Sequence, residues 1–206
     1  MGILIKDAVA LESMEKVNVI VLDKTGTLTV GKPSLVTVAA VDGVGMSEQD
    51  ILRYAVLLER GSEHPLASAV LEGAKSRGMD VNNEQDVTDF TSLSGRGVSG
   101  VIDGMHVGFG NSKLVAELAG SAACDPGMPY MLHADSLRRE HGQTVMFVVA
   151  DKRVVGLVGV VDEIKESTPG ALRDLRAEGV EIVMLTGDNQ VTAEAVARKL
   201  SIDRVV

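Results

Sequence analysis

Several short stretches of the sequence combine residue types that could handle a phosphoryl group. In Asp23-Lys24-Thr25-Gly26-Thr27-Leu28-Thr29 a carboxylate is followed by an ammonium, three hydroxyls and a glycine. The Asp23 carboxylate can attack, Lys24 can offset charge, and the loop's N–H groups and hydroxyls can hold phosphate oxygens. A lone Asp-Lys pair would read as a capped turn; the continuous run does not. Thr186-Gly187-Asp188-Asn189 offers a second hydroxyl, glycine and carboxylate after another apolar run. Glu63 and His64 precede Pro65, a residue suited to the first helical position, so they fall at a positive helix end where an anionic or hydrogen-bonding ligand can sit. Taken alone, His64 reads as a cap-region histidine. Gly95-Arg96-Gly97-Val98-Ser99-Gly100 is a literal G-x-G-x-x-G, but a dinucleotide loop must open a helix. Here a strand and a hairpin follow, which excludes that reading and leaves turn glycines, or glycines that let a flat ligand approach the backbone.

The elements that must position these residues follow from periodicity. Val17–Leu22 is short, apolar and β-branched, which predicts a buried strand ending at Asp23, where open α/β sheets collect their chemistry. Leu11–Lys16 predicts a short helix before it. After the break at Gly31-Lys32-Pro33, Ser34–Val41 predicts a strand. Ser47-Glu48-Gln49-Asp50 is a near capping box opening a helix, and a second helix runs from about Leu66 to Ser76. A β-rich run follows: Val87–Leu93, Val98–Ile102 and Met105–Phe109, with Asp103-Gly104 as a hairpin turn. Gly110-Asn111 ends it and leads to a short helix over Lys113–Leu118, and Tyr130–Glu140 predicts another. Thr144–Ala150 and Val154–Val161 predict a hairpin around Asp151-Lys152. Thr168 should cap, and Pro169 start, a helix to about Glu178. Val180–Leu185 is a second buried strand, followed by a helix over Thr192–Leu200. Strand, helix, strand, helix implies a parallel sheet. The expected organisation is an α/β domain in two parts, residues 1–32 and 155–206, with an inserted α+β domain on an antiparallel sheet at 33–154.

Composition narrows the function classes. The 206 residues are 45% hydrophobic with 2% aromatic, so the cores are built from aliphatic side chains. A net charge of −9 argues against a nucleic-acid surface. The single cysteine, Cys124, excludes an internal disulfide and a CxxC metal site. His106, His133 and His141 have no ligating neighbours and read as surface residues. No stretch reaches the roughly 20 apolar residues needed to span a bilayer, and no signal peptide pattern precedes the first strand.

These motifs together resemble the P-type cation-transporting ATPases of the heavy-metal branch, over nearly the whole chain. Asp23–Thr29 resembles the phosphorylation motif, Thr186–Asn189 the second phosphoryl-binding motif, and Asp162 with Lys165 the hinge motif. Glu63-His64-Pro65-Leu66 resembles the branch's nucleotide signature, with Gly95, Gly97, Gly110 and Asn111 as companions. The resemblance implies that Asp23 attacks the ATP γ-phosphate and becomes an aspartyl phosphate. It implies that Mg²⁺ is held by the Asp23 carboxylate and the Thr25 carbonyl, and that Lys24 and Gly187 belong to the catalytic loops. Thr27 and Thr186 would bond phosphoryl oxygens, and Asp188 would organise the metal or nucleotide. Glu63 and His64 would orient ATP, Gly95 and Gly97 would shape the adenine pocket, and Gly110, Asn111, Asp162 and Lys165 would complete the nucleotide-binding set. The split domain would be a haloacid-dehalogenase-like P-domain and the insert an N-domain.

Related soluble phosphatases carry an acid–base aspartate two residues after the nucleophile, where this chain has Thr25. A threonine cannot take up a proton near neutral pH, so water attack should slow and the phosphoenzyme persist. Absent are the family's Gly-Asp-Gly-x-x-Asn-Asp motif, its transmembrane helices and its membrane metal site. The expectation is therefore a fragment of the cytoplasmic portion of a membrane pump, which binds ATP but hydrolyses it poorly alone. Its partners would be the pump's transmembrane and actuator domains and a heavy-metal ion, with Cu(I) favoured by Glu63–Ala67. A zinc or cadmium pump, a free phosphatase of the same superfamily, and a nucleotide-binding module without chemistry are the alternatives.

Overall fold

The structure of the chain, a computed structural model, describes residues 7–62, 64–81 and 86–206. In chain order the elements are α1 (Ala8–Glu15), β1 (Val19–Asp23), β2 (Ser34–Ala40), α2 (Glu48–Glu59), α3 (Pro65–Ser76), β3 (Thr88–Leu93), β4 (Gly97–Ile102) and β5 (Met105–Gly110). There follow α4 (Ser112–Ala119), α5 (Pro129–His141), β6 (Thr144–Ala150), β7 (Arg153–Val161), α6 (Thr168–Ala177), β8 (Glu181–Leu185), α7 (Gln190–Leu200) and β9 (Arg204–Val205).

Among the described residues the strands form two sheets. The first is parallel, in the order β1-β8-β9, with Val19 opposite Glu181 and Asp23 opposite Leu185. Leu22, Ile182 and Met184 on one face pack against Leu172 of α6 and Val196 and Leu200 of α7. Strand periodicity turns Val19 and Val21 to the opposite face, where both are exposed.

The second sheet is mixed in neither direction nor origin: all six strands are antiparallel, in the order β2-β7-β6-β5-β4-β3. Helices α2 and α3 cover one face through Ile51, Leu58 and Val70, while Val115 of α4 and Leu137 of α5 meet Phe147 and Leu157 on the other. Covered on both faces, β6 and β7 read as continuous apolar runs without alternation. The hairpin turns use left-handed backbone at Asp103 and Gly104, and at Asp151 and Lys152.

β7 pairs with both β2 and β6 along its length, so residues 155–161 lie in the antiparallel sheet. Thr168 does not cap α6: Ser167 holds the cap position without a side-chain bond, and the Thr168 hydroxyl points elsewhere. The capping box at Ser47 and Asp50 is present with both reciprocal bonds. Of the described residues, no helix is long and apolar enough to cross a membrane.

Candidate phosphoryl and nucleotide site

Because β1 and β8 are adjacent and in register, Asp23 and the Thr186–Asn189 loop leave the sheet side by side at its carboxyl edge. The Asp23 side chain is exposed there. The chain then makes a wide turn over Lys24–Leu28, left-handed at Gly26 with φ 77°. Thr29, fully buried, closes the turn: its N–H donates to the Lys24 carbonyl at 3.0 Å, and its hydroxyl accepts from Gly26 N–H at 3.3 Å. Thr25 and Thr27 remain exposed on the turn.

Lys24 is only 6% exposed and forms an ion pair with Asp188. An ammonium so far from water requires a carboxylate partner. The bond therefore ties the loop after β1 to the loop after β8. In the latter, the Thr186 hydroxyl accepts from the Asp188 N–H at 3.1 Å, which leaves its own proton to donate. Gly187 is exposed beside them with open space where a Cβ would stand. Asn189 caps α7, accepting from Val191 N–H at 3.0 Å.

Asp162 and Lys165, expected with the nucleotide residues, lie instead on the Asp23 loop. Asp162 accepts from Gly31 N–H at 2.8 Å and from the Thr29 hydroxyl at 2.5 Å, and Lys165 donates to the Gly26 carbonyl. Val30 N–H donates to the Glu163 carbonyl at 2.8 Å, and Thr29 forms a β-bridge with Ile164. The two chain crossings between the sheets are thus bonded to each other and to the loop.

Of the remaining residues, Gly95, Gly97, Gly110 and Asn111 gather at one end of the antiparallel sheet. Glu63 lies outside the described residues. His64 is exposed and caps α3, its Nδ1 accepting from Leu66 N–H at 3.2 Å, so a neutral ring carries its proton on Nε2. Gly95, at φ 67°, turns β3 into β4. Gly97 and Gly110 face each other across β4 and β5 so closely that a Cβ on Gly97 would stand 2.2 Å from the Phe109 carbonyl oxygen, and one on Gly110 2.1 Å from that of Arg96. Asn111 pins this turn by donating to the Gly95 carbonyl at 2.9 Å, while its Oδ1 caps α4. The α2–α3 connection rests on the neighbouring strand, since a Cβ on Gly61 would meet the Phe90 ring at 3.0 Å.

Glu59, missed in the sequence, lies just before that connection. It is 5% exposed, its Oε2 has no hydrogen-bond partner among the described residues, and burial raises its pKa above the ordinary carboxylate value, partly offset by a bond with Ser62. The available signal was a carboxylate ending an apolar helix, where the helix dipole disfavours it. Clefts of about 540 and 580 Å³ open elsewhere, against α2 and against α4, and neither is lined by Asp23, His64 or Asn111.

For a metal, the Asp23 and Asp188 carboxylates and the Thr25 carbonyl are hard oxygen donors of the kind Mg²⁺ takes. Among the described residues, no group of three or more His, Cys, Asp or Glu side chains gathers to bind one. The donor set fits a magnesium ion that shares its shell with water and phosphate oxygens. The tight Gly97/Gly110 pair leaves a stretch of backbone bare of side chains.

A parallel sheet with an aspartate at the end of its first strand, and a large insert after it, defines a class, and comparison with known proteins agrees. The family model for haloacid dehalogenase-like hydrolases matches residues 17–206, and the chain belongs to that family. It is 47% identical over 204 residues to a copper-transporting P-type ATPase of Rhizobium leguminosarum bv. viciae, covering 99% of this chain and 23% of that protein. A silver exporting P-type ATPase of Salmonella typhimurium is 45% identical over 204 residues, covering 99% and 23%. The crystal structure of a zinc-transporting PIB-type ATPase in an E2.Pi state superposes with a TM-score of 0.68 at 30% identity, over 95% of this chain and 30% of that one. The chain thus spans about a quarter of the length of these curated relatives.

Proposed function

We propose that the chain is the ATP-binding and phosphorylation segment of a heavy-metal-transporting P-type ATPase, with Asp23 as the phosphoryl acceptor. The observation that carries this reading is the buried Lys24, which joins the Asp23 loop to Asp188 at neighbouring strand ends. In the reaction an Asp23 carboxylate oxygen attacks the γ-phosphorus of ATP. The bond from that phosphorus to the bridging oxygen breaks, and ADP leaves with the electron pair. Catalysis of this kind rests on positioning and charge neutralisation. Lys24 lowers the repulsion between the nucleophile and the phosphates, while Thr27, Thr186 and the loop N–H groups receive the phosphoryl oxygens. The Asp23 carboxylate and the Thr25 carbonyl would hold Mg²⁺, with Asp188 helping to organise it, and the ion would supply further positive charge. With threonine at position 25, that position offers no carboxylate to activate water against the aspartyl phosphate.

On this reading Glu63, His64, Glu59 and the Gly95–Asn111 turn hold the nucleotide, and the segment faces the cytoplasm beside the pump's membrane and actuator domains. The relatives' names favour Cu(I) or Ag(I) as cargo. The test is labelling of the full-length protein with γ-³²P-ATP and Mg²⁺. An acid-stable, hydroxylamine-labile label that Asp23→Asn abolishes is expected, with turnover stimulated by Cu(I) over Zn²⁺. Label retained in Asp23→Asn, or p-nitrophenyl phosphate turnover without a phosphoenzyme, would reject the assignment.

A further inference from the structure

The Thr168 hydroxyl, free of the capping role its sequence position suggests, crosses to the first part of the chain and donates to the Leu28 carbonyl at 2.8 Å. Thr168 is 6% exposed, and the bond is shielded from water. The same carbonyl accepts from Lys165 N–H at 3.1 Å, and the Thr168 N–H donates to the Lys165 carbonyl at 3.0 Å. Leu28, 3% exposed, sits at the end of the turn that begins at Lys24, and its side chain packs into the core beneath the parallel sheet. A carbonyl held by two donors, one at the start of α6 and one in the segment just before it, cannot rotate its peptide plane freely. That plane also carries the Thr29 N–H, whose bond to the Lys24 carbonyl at 3.0 Å closes the turn, so its orientation sets the rim beside Asp23.

We propose that Thr168 is a positioning residue for phosphoryl transfer, holding the Thr25–Leu28 turn through the Leu28 carbonyl so that it receives the phosphoryl group beside Asp23. This rests on the reading of Asp23 as the phosphoryl acceptor. Thr168 touches no reacting atom. Its effect is on the geometry of the groups that do, and small displacements of such groups carry large kinetic consequences. Because the Lys165 N–H still holds the Leu28 carbonyl when the hydroxyl is removed, the fold survives the loss.

The test compares Thr168→Val, which keeps shape and removes the hydroxyl, with Thr168→Ser, which restores it. In the full-length protein, Thr168→Val is expected to slow phosphoenzyme formation about tenfold with an unchanged KM for ATP. Thr168→Ser is expected to return to within about twofold of wild type. In the 206-residue chain, amide hydrogen exchange over residues 24–29 should quicken in Thr168→Val, with the thermal midpoint little changed. The proposal is overturned if Thr168→Val labels at the wild-type rate, if Thr168→Ser fails to rescue, or if rate and ATP binding fall together with folded protein. Wild type and Asp23→Asn labelling alike would instead remove the phosphoryl-acceptor reading, and this proposal with it.

Discussion

At the scale of single residues, the charges that matter are the ones held away from water. Lys24 and Asp188 form such a pair, although Asp188 retains some exposure, with 26% of its side chain open to solvent. Removing the ammonium leaves a carboxylate facing a dry wall; removing both relieves the mismatch. Lys24→Met is therefore expected to lower stability by about 1–2 kcal/mol after allowance for solvent screening. Adding Asp188→Asn should recover part of that loss, and urea denaturation of the three variants measures the coupling. Glu59 behaves differently, since among the described residues it has no basic partner. Its folded-state pKa lies above its ordinary value of 4.5, so the native protein holds this proton at pH values where the unfolded chain has released it. Stability contributed by Glu59 consequently falls as pH rises from about 4.5 through the raised folded value. Glu59→Gln is expected to be more stable than wild type at pH 7 and equal to it near pH 4, while binding ATP more weakly. Equal melts at both pH values would count against the burial argument. The motifs around Asp23 and Asp188 stand out in the sequence because their spacing is local, and the structure sets them at adjacent strand ends. Glu59 does not, because whether a helix-end carboxylate faces inward depends on what packs over it.

At the scale of elements, Gly97 and Gly110 are as much structural as functional. Their backbones approach too closely for any side chain, so Gly97→Ala must push β4 and β5 apart. A loss on the order of 2–4 kcal/mol in chemical denaturation is expected for it. Gly95→Ala, strained only by its positive φ, should cost about 1 kcal/mol. A Gly97→Ala protein of normal stability that no longer binds ATP would assign the glycine to the ligand alone. Strands and helices with clear periodicity were legible in the sequence, including the Asp103-Gly104 and Asp151-Lys152 hairpins. The departures share a cause. Residues 155–161 and Thr168 are assigned by partners more than a hundred positions away, β2 in one case and the Leu28 carbonyl in the other.

At the scale of the whole molecule, the two sheets meet at a second place besides the chain crossings. Helix α7, which begins at the Asp188 loop, lies against the end of α5. Thr192 donates to the Gln143 carbonyl at 3.1 Å, Arg198 to that of Arg139 at 2.8 Å, and Lys199 to that of His141 at 3.1 Å. The Arg139 and His141 carbonyls lie in the last turn of α5, which the helix end leaves unsatisfied, and cations there also answer its negative pole. Combining Thr192→Val, Arg198→Ala and Lys199→Ala should uncouple the two parts. Calorimetry is then expected to show two melting transitions, with about 1–3 kcal/mol lost from the lower one. A single unchanged transition would mean that the crossings alone hold the parts together. Those crossings carry a mechanical consequence of their own. Because Val30 is bonded to Glu163 and Thr29 is bridged to Ile164, the two linkers form one short ribbon and not two independent strings. A ribbon flexes readily across its flat side and resists both shear and torsion. The antiparallel lobe is thereby restrained in shear and torsion at the crossings, and any swing across the ribbon's flat side must first break the α5–α7 bonds.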